Sequence, residues 1–225
     1  MPAPERSYVV TGGAGAVGRA IATRLDGHVV VLDVVNGEDA ADEAVAADAI
    51  TRAESVAPLA GWVNNAAVFQ DAWLHSEDDV LGLITANLGL AVTGCRVAVR
   101  HWLAAERGGA IVNVSSHQAA RPVRGALPYA VAKAAVEGLT RAVAVDYGPV
   151  GVRCNAVSLG SIANPRSEGL DDALAALHPL GRVGTAEEVA DVVAALLAPG
   201  FVNGAIVPVD GGRSVLGGDP EARSF

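Results

Sequence analysis

VVTGGAGAVGRAIATRL, residues 9–25, begins as a β-rich apolar run and passes through a glycine-rich turn into an amphipathic helix. The turn contains Gly12, Gly13, Gly15 and Gly18. Because glycine lacks a Cβ, backbone N–H groups of such a turn can approach a pyrophosphate, and the helix N-terminus adds partial positive charge. The next predicted strand ends about 20 residues further on at Asp33, where a carboxylate can accept hydrogen bonds from an adenosine ribose. Strand, turn, helix, strand and acid in this order favour dinucleotide binding over a purely structural turn.

Similar β-rich runs alternate with longer alanine-rich segments along the rest of the chain. We predict strands over residues 7–11, 28–35, 43–47, 61–66, 110–115, 152–158 and 205–210. We predict helices over residues 15–26, 77–105, 128–147 and 185–198, and a weaker one over 171–177. Several strands are apolar on both faces, as in a parallel sheet covered by helices on each side. The pattern predicts an α/β fold, a doubly wound (Rossmann) parallel sheet of about seven strands, with residues 1–225 forming a single domain.

The composition excludes several classes of protein. A net charge of −9 and a pI near 4.9 leave no basic surface for a nucleic acid backbone. No run approaches the ~18 apolar residues of a membrane span, and the N-terminus lacks the features of a secretory signal. Cys95 and Cys154 have no metal-ligand spacing, and the five histidines form no close pair. We therefore expect no nucleic acid, no membrane and no metal, and a cytoplasmic protein with reduced thiols.

The stretch YAVAK, residues 129–133, contains the only lysine among the 16 lysine and arginine residues of the chain. On a helix, Tyr129 and Lys133 share one face because they are four residues apart, and Pro128 suits the first turn. A nearby ammonium lowers the pKa of a phenol from its usual ~10, which makes tyrosine usable as an acid–base catalyst. The alternative is an ordinary helix with a buried tyrosine and a surface lysine. A surface charge in this chain would be arginine, so the single lysine indicates a requirement that arginine does not meet.

Taken together, these motifs resemble the short-chain dehydrogenase/reductase family, and the match runs nearly end to end. YAVAK matches the family's YxxxK. The other matching stretches are TGGAGAVG (11–18) for TGxxxGxG, NNAA (64–67) for NNAG, TANLGL (85–90) for the asparagine helix, IVNVSS (111–116) for the serine strand, and VRCNAVSLGSI (152–162) and VDGG (209–212) for the late strands. The resemblance implies hydride transfer between a nicotinamide and an alcohol or carbonyl compound.

The resemblance also implies a catalytic tetrad of Asn87, Ser116, Tyr129 and Lys133. In that scheme Tyr129 is the general acid and base, and Lys133 both lowers its pKa and binds the nicotinamide ribose. Ser116 holds the substrate oxygen, and Asn87 organises a water chain toward Lys133. The serine thirteen residues before the tyrosine is Ser116 and not Ser115.

A larger set of residues is expected to bind the cofactor. It comprises Gly12, Gly15, Ala16, Val17, Gly18, Asp33, Asp48, Asn65, Ala66, Tyr129, Lys133, Ile162 and Asn164. Three departures from the family pattern bear on it. Ala16 replaces the second glycine, so its methyl group would sit near the pyrophosphate. Asn164 replaces a threonine that contacts the carboxamide. The stretch from Asp33 to Asn64 is also short, so we expect trimming around the third strand, and Asp48 is assigned to the adenine on this compressed alignment.

Asp33 also bears on the choice of cofactor. A carboxylate there would repel a 2′-phosphate, and the following Val34 and Val35 offer no guanidinium to hold one. We therefore expect NAD(H) to be preferred over NADP(H).

Substrate and partners are expected from the same resemblance. His117 and Gln118 follow Ser116 and would line the pocket for a small secondary alcohol or ketone, under a short lid over residues 160–182. A homodimer or homotetramer would form on the long helices, 77–105 and 128–147, and the C-terminal strand. Two alternatives stay open: an NADPH-dependent ketoreductase of the β-ketoacyl reductase type, and a non-catalytic NAD-binding regulatory or structural protein.

Overall fold

The computed structural model of the protein describes residues 5–164 and 169–217. Six strands alternate with six α-helices in the described part of the chain, and three short 3-10 turns lie at 34–36, 117–119 and 148–150. The strands are β1 (Ser7–Thr11), β2 (His28–Leu32), β3 (Leu59–Asn64), β4 (Gly109–Ser116), β5 (Val152–Leu159) and β6 (Ile206–Val209). The helices are α1 (Ala16–Arg24), α2 (Glu43–Glu54), α3 (Val80–Ala104), α4 (Leu127–Tyr147), α5 (Asp171–Ala175) and α6 (Ala186–Leu197).

The strands form one parallel sheet in the order β2-β1-β3-β4-β5-β6. The predicted doubly wound α/β fold is therefore confirmed. Strand order reverses direction at β1, which lies between β2 and β3. In open sheets of this kind, ligands bind outside the carboxyl ends of the strands at such a switch point. The topology thus brings the glycine-rich turn after β1 to the same edge of the sheet as the ends of β3 and β4.

The strand predicted over residues 43–47 is wrong, because this segment is the first turn of α2. The Asp42 side chain accepts a hydrogen bond from Ala44 N at 2.8 Å and caps the helix. The buried residues of α2 then recur at helical spacing: Ala46, Ala49, Ile50 and Ala53. The described sheet consequently has six strands instead of about seven, and β2 forms its edge beyond β1.

Two apolar layers cover the two faces of the sheet. Val9 joins the layer under α2, α3 and α4, whereas the next residue, Val10, joins the layer under α1 and α6. Both valines are fully buried, as the period of two in a strand requires. This arrangement explains why the strands lack polar faces.

By length and composition alone α3 could cross a membrane, a test that core helices of soluble proteins also pass.

A buried polar ladder ties β3, β4 and α4 together below the carboxyl edge. Asn64 Nδ2 donates to Asn113 Oδ1 at 2.8 Å, and Asn113 Nδ2 donates to Thr140 Oγ1 at 2.9 Å. Cys95 and Cys154 border this ladder as free thiols. Contact with Cys95, together with burial, raises the pKa of the Cys154 thiol well above its usual value, so it stays protonated. The ladder fixes α4, which carries YAVAK, against the end of β4.

Candidate active site

The glycine-rich turn after β1 packs so closely that three of its glycines, Gly12, Gly13 and Gly18, have no room for a side chain. Gly12 adopts a φ of +66°, and its N–H donates to Leu32 O at 2.8 Å. A Cβ on Gly18 would lie 2.2 Å from Gly12 O. Gly15 differs, because a Cβ there would meet only Gly12 O, at 3.4 Å. The turn therefore closes on Gly12 and Gly18, and its outer side at Gly15 is open.

The first turn of α1 offers unpaired backbone donors at this open side. Gly15 is the N-cap of α1 and has no side chain to satisfy them. Among the described residues, the N–H groups of Ala16, Val17 and Gly18 have no hydrogen-bond partner. Such donors and the positive end of the helix suit a pyrophosphate. The residues predicted to bind this part of the cofactor therefore fit a pyrophosphate. Ala16 is the first residue of α1, so the turn closes without it.

Asp33 lies between the glycine turn and the turn that follows β2. Its Oδ2 accepts a hydrogen bond from Ala14 N at 2.8 Å, and its Oδ1 accepts one from Val35 N at 3.1 Å. In the described part of the chain it forms no ion pair. Val34 and Val35 are 70% and 72% exposed.

Sequence reasoning missed Arg19, whose Nη1 donates to Ala14 O at 2.5 Å and braces the same turn. Its position one turn into α1 was the available signal.

The end of β3 is fastened to the glycine turn by backbone and amide bonds. Asn65 Nδ2 donates to Thr11 O and to Gly12 O, each at 3.0 Å. The N–H groups of Asn65 and Ala66 both donate to Thr11 Oγ1 at 3.0 Å. Asn65 and Ala66 thus lie beside Gly12, and their contact with the cofactor stays a prediction.

Asp48 lies in the middle of α2, and its carboxylate pairs with Arg52 at 3.0 Å, one helical turn away. The contact of Asp48 with the adenine stays a prediction.

Tyr129 and Lys133 share the inner face of α4, as their spacing predicted. Lys133 is 4% exposed, and its Nζ donates to Val114 O at 2.7 Å. The same Nζ lies 5.3 Å from the centroid of the Tyr129 ring. Burial lowers the pKa of Lys133 from 10.5 to about 8. The structure thus places a desolvated ammonium against the tyrosine.

Phe69 was not predicted as a site residue, yet its ring stacks on that of Tyr129. The two centroids are 5.2 Å apart, with an angle of 30° between the planes. Phe69 is 59% exposed, so a large apolar surface borders the tyrosine. The only signal in the sequence was its position two residues after NNAA.

Asn87 and Ser116 both precede Tyr129 in the chain, and both are buried. Ser116 ends β4, and its Oγ accepts a hydrogen bond from Gln118 N at 3.2 Å. Ser115 instead donates to Glu137 Oε1 at 3.0 Å. The Asn87 amide accepts from Val68 N at 2.9 Å and donates to Val68 O at 3.0 Å, so it holds the loop after β3. Its role in a water chain toward Lys133 stays a prediction.

His117 and Gln118 form the 3-10 turn that follows Ser116. His117 is 6% exposed, and neither its Nδ1 nor Gln118 Oε1 has a hydrogen-bond partner in the described structure. Burial, followed by the positive Arg213 and by His178, lowers the pKa of His117 to about 4, whereas Asp210 acts against this shift. His117 is therefore neutral at pH 7. Buried polar atoms without partners beside a candidate catalytic serine suit a role in holding substrate.

The loop after β5 contains the two residues expected at the nicotinamide. Ile162 forms a bridge with Gly184, and Ala163 N donates to Gly184 O at 2.9 Å. Asn164 Nδ2 donates to Ile162 O at 2.7 Å. The weak helix predicted over 171–177 is present as α5, within the expected lid. Residues 165–168 of that lid lie outside the described residues.

Metal ligands are not clustered in the described part of the chain. No group of three or more His, Cys, Asp or Glu side chains there could hold a metal ion.

Comparison with known proteins adds four findings. A family model described as enoyl-(acyl carrier protein) reductase matches residues 9–214. Cis-4-hydroxycyclohexanecarboxylate dehydrogenase of Sinomonas cyclohexanicum is 36% identical over 245 residues, covering 94% of this chain and 98% of that protein. 3-Oxoacyl-(acyl-carrier-protein) reductase of Pseudomonas aeruginosa is 35% identical over 199 residues, covering 85% of this chain and 78% of that protein. A solved structure titled "ElxO with NADP Bound" has a TM-score of 0.84 at 24% identity, covering 95% of this chain and 100% of that one, which shows the fold alone.

Proposed function

Because the chain belongs to the short-chain dehydrogenase/reductase family, we propose that it is an NAD(H)-dependent oxidoreductase acting on a secondary alcohol or ketone. Residues 1–225 would form one catalytic domain, with a substrate lid over 160–182. Its tetrad would be Asn87, Ser116, Tyr129 and Lys133. The comparisons show membership of an oxidoreductase family, and the choice of NAD, the roles of the tetrad and the substrate are our proposal.

The burial of Lys133 is the observation that best supports this proposal. Taking an ammonium out of water is costly unless a counter-ion or several acceptors compensate. Lys133 is 4% exposed and forms no ion pair with any carboxylate in the described residues; its Nζ donates to one carbonyl, Val114 O. A lysine with a structural role alone would be expected at the surface, where this chain uses arginine. A buried cation beside Tyr129 instead suits pKa control of the phenol.

These positions support the following mechanism. A bound nicotinamide supplies or accepts the hydride. In oxidation Tyr129 Oη, as the phenolate, takes the proton of the substrate hydroxyl, and in reduction it returns that proton to the carbonyl oxygen. Lys133 stabilises the phenolate through its charge, and the Ser116 hydroxyl donates a hydrogen bond to the substrate oxygen. Asn87 keeps the loop after β3 in place.

Cofactor binding would begin at the glycine turn. The first N–H groups of α1 would hold the pyrophosphate, and Asp33 would accept hydrogen bonds from the adenosine ribose. The absence of an ion pair at Asp33 within the described residues, and the exposed Val34 and Val35, support NAD(H) over NADP(H). The solved structure of ElxO has NADP bound and shares the fold. At 24% identity, however, the cofactor of ElxO does not indicate the cofactor of this chain.

An NADPH-dependent ketoreductase is the second candidate. The family model's description and the 3-oxoacyl-(acyl-carrier-protein) reductase relative favour it. A non-catalytic NAD-binding protein is the third, and the buried Lys133 beside Tyr129 opposes it.

Assembly and location are also proposals. Apolar side chains are exposed on both long helices: Leu81 and Leu103 on α3, and Val131 and Val145 on α4. These faces would be covered in a homodimer or homotetramer. The free thiols of Cys95 and Cys154 fit a reducing cytoplasm.

Turnover with secondary alcohols and ketones tests the proposal. The purified protein is assayed with NAD, NADH, NADP and NADPH, with Tyr129→Phe as the control. Activity that Tyr129→Phe abolishes, with NAD(H) preferred, is the expected result. Activity confined to NADPH and 3-oxoacyl thioesters would favour the second candidate. Cofactor binding without turnover on any compound would favour the third.

A further inference from the structure

His178 lies at the base of the predicted lid and is 4% exposed. Its Nδ1 is 2.7 Å from Leu174 O in α5, and its Nε2 is 3.1 Å from Ser161 N. A carbonyl oxygen can only accept, and a backbone N–H can only donate. The two contacts therefore specify one neutral tautomer, with the proton on Nδ1 and the lone pair of Nε2 directed at Ser161. One imidazole thus connects the lid helix to the loop after β5.

The loop that donates this bond is held at three backbone N–H groups, those of Gly160, Ser161 and Ala163. Gly160 N donates to Val209 O at 3.0 Å, and Ala163 N donates to Gly184 O at 2.9 Å. Ser161 is held twice, because its Oγ also accepts a hydrogen bond from Arg213 Nη1 at 2.8 Å. Ile162 N, between these anchors, has no hydrogen-bond partner among the described residues. The loop thus presents one backbone donor at the position expected to meet the nicotinamide.

Packing makes the imidazole difficult to replace. A Cβ on Gly160 would lie 2.9 Å from His178 Nε2 and 2.8 Å from Asp210 Cα. The ring is therefore pressed against the loop, and no water-sized gap separates Nε2 from Ser161 N at 3.1 Å. If that bond is lost, Ser161 N–H becomes an unsatisfied buried donor unless the loop moves. A shift of the loop would displace Ile162 N.

We propose that His178 is a positioning residue for the nicotinamide half of the cofactor. It acts through the bond from Ser161 N to its Nε2, which sets the direction of the Ile162 N–H. The proposal rests on the proposed function, because it takes the loop over 160–164 as the nicotinamide contact. The hydrogen bond from His178 Nδ1 to Leu174 O has a different role: it orients the imidazole ring and anchors α5.

Two conservative variants separate the two bonds. In His178→Gln, Oε1 can accept from Ser161 N, but the donor to Leu174 O is lost. In His178→Asn, Nδ2 can donate to Leu174 O, but the side chain is too short to reach Ser161. His178→Leu removes both bonds. The dissociation constants of NADH and of ADP-ribose, which lacks the nicotinamide, are measured for each variant by calorimetry, with a melting curve to confirm folding.

The expected result is that NADH binding depends on the acceptor alone. His178→Asn and His178→Leu should bind NADH about tenfold more weakly, whereas His178→Gln should stay within about threefold of the parent. ADP-ribose affinity should be unchanged in all three. Rescue by asparagine and not by glutamine would overturn the proposal, because it would show that only the anchoring of α5 matters. Equal NADH binding in all variants would overturn it as well.

Amide hydrogen exchange of the cofactor-free protein gives a readout that does not depend on the proposed function. Exchange at Ser161 should be faster in His178→Asn and His178→Leu than in the parent and in His178→Gln. If the parent binds neither NADH nor ADP-ribose, the proposed function fails, and the exchange rates still decide whether His178 holds the loop. Unchanged Ser161 exchange in His178→Leu would refute that bond.

Discussion

At the glycine-turn end of the site each hydrogen bond uses at least one backbone atom, whereas the catalytic end depends on two side chains in contact. At the first end, Gly12 N bonds Leu32 O, the Asn65 amide bonds the carbonyls of Thr11 and Gly12, and Asp33 accepts from Ala14 N. At the second end, a buried Lys133 ammonium lies against the Tyr129 ring. Backbone contacts survive many changes of side chain, whereas an acid–base pair does not. This difference explains how Ala16 can replace a family glycine while YxxxK is intact.

The largest effect is expected at the catalytic end, from Lys133→Arg. The guanidinium is planar and larger than an ammonium and directs its donors in a fork, so it cannot occupy the same buried space. The variant should fold yet lose at least about 100-fold in kcat/KM, roughly 2.7 kcal/mol. Tyr129→Phe should lose at least as much. Steady-state kinetics with melting curves measure both.

Arg141→Lys, the reverse exchange at an exposed position of α4, is the matched control and should leave the rate unchanged. Activity of Lys133→Arg within a few-fold of the parent would mean that the single lysine is an accident of composition.

The pH dependence of stability tests the burial of the same lysine. Burial lowers the pKa of Lys133 from 10.5 to about 8. Between these values the unfolded chain binds a proton that the folded chain does not, so this group makes the free energy of unfolding rise with pH. Relative to Lys133→Met, the parent should gain on the order of 2 kcal/mol from pH 8 to 10.5. Denaturant unfolding at several pH values measures it, and parallel curves for the two proteins would contradict the burial of a charged lysine.

Two glycine substitutions test how closely the glycine turn packs. Gly18→Ala should lose about 1–3 kcal/mol of stability, because its Cβ would lie 2.2 Å from Gly12 O. Gly15→Ala should stay within about 0.5 kcal/mol, because its Cβ would meet only Gly12 O at 3.4 Å. Denaturant titration of both variants compares them. Equal losses would show that the turn does not close as described.

Asp33 is the one position of that end where a side chain is expected to decide affinity. NADH should bind at least about tenfold more tightly than NADPH, roughly 1.4 kcal/mol. Asp33→Ala should narrow the gap, because the carboxylate that repels a 2′-phosphate is gone. Titration with both cofactors measures this, with the exposed Asp26→Ala as control. Equal or reversed affinities in the parent would refute the preference for NAD(H).

The smallest effect is expected for Ala16→Gly. Gly15 already caps α1, and its N–H donates to Gly12 O at 3.3 Å, so the turn closes without a glycine at position 16. The change should be neutral or cost up to about 0.5–1 kcal/mol of stability through added backbone freedom. NADH titration checks the binding side. A several-fold gain in affinity would show that the methyl group crowds the pyrophosphate.

Local patterns predicted most of the fold and failed where a pattern suited two structures. The alternation of strands and helices gave the doubly wound sheet, and the period of four placed Tyr129 and Lys133 on one face of α4. Residues 43–47, EAVAA, suit a short strand or a helix equally, because short apolar runs do not distinguish the two. In the folded protein Ala46 and Ala49 pack against the sheet at helical spacing, and this packing stabilises the helix over the strand.

By itself the sequence determined the features that depend on neighbours along the chain: the glycine turn, the acid at the end of β2, the i, i+4 pair and the serine at the end of β4. Only the tertiary structure decided what depends on distant segments. Phe69 stacks on Tyr129 across 60 residues, and His178 reaches back to Ser161 through a bond that no local spacing encodes. The physical reason is that burial and hydrogen-bond partners are set by the packing of the sheet and its helices. The depressed pKa of Lys133 has the same origin, because desolvation exists only once α4 has closed over β4.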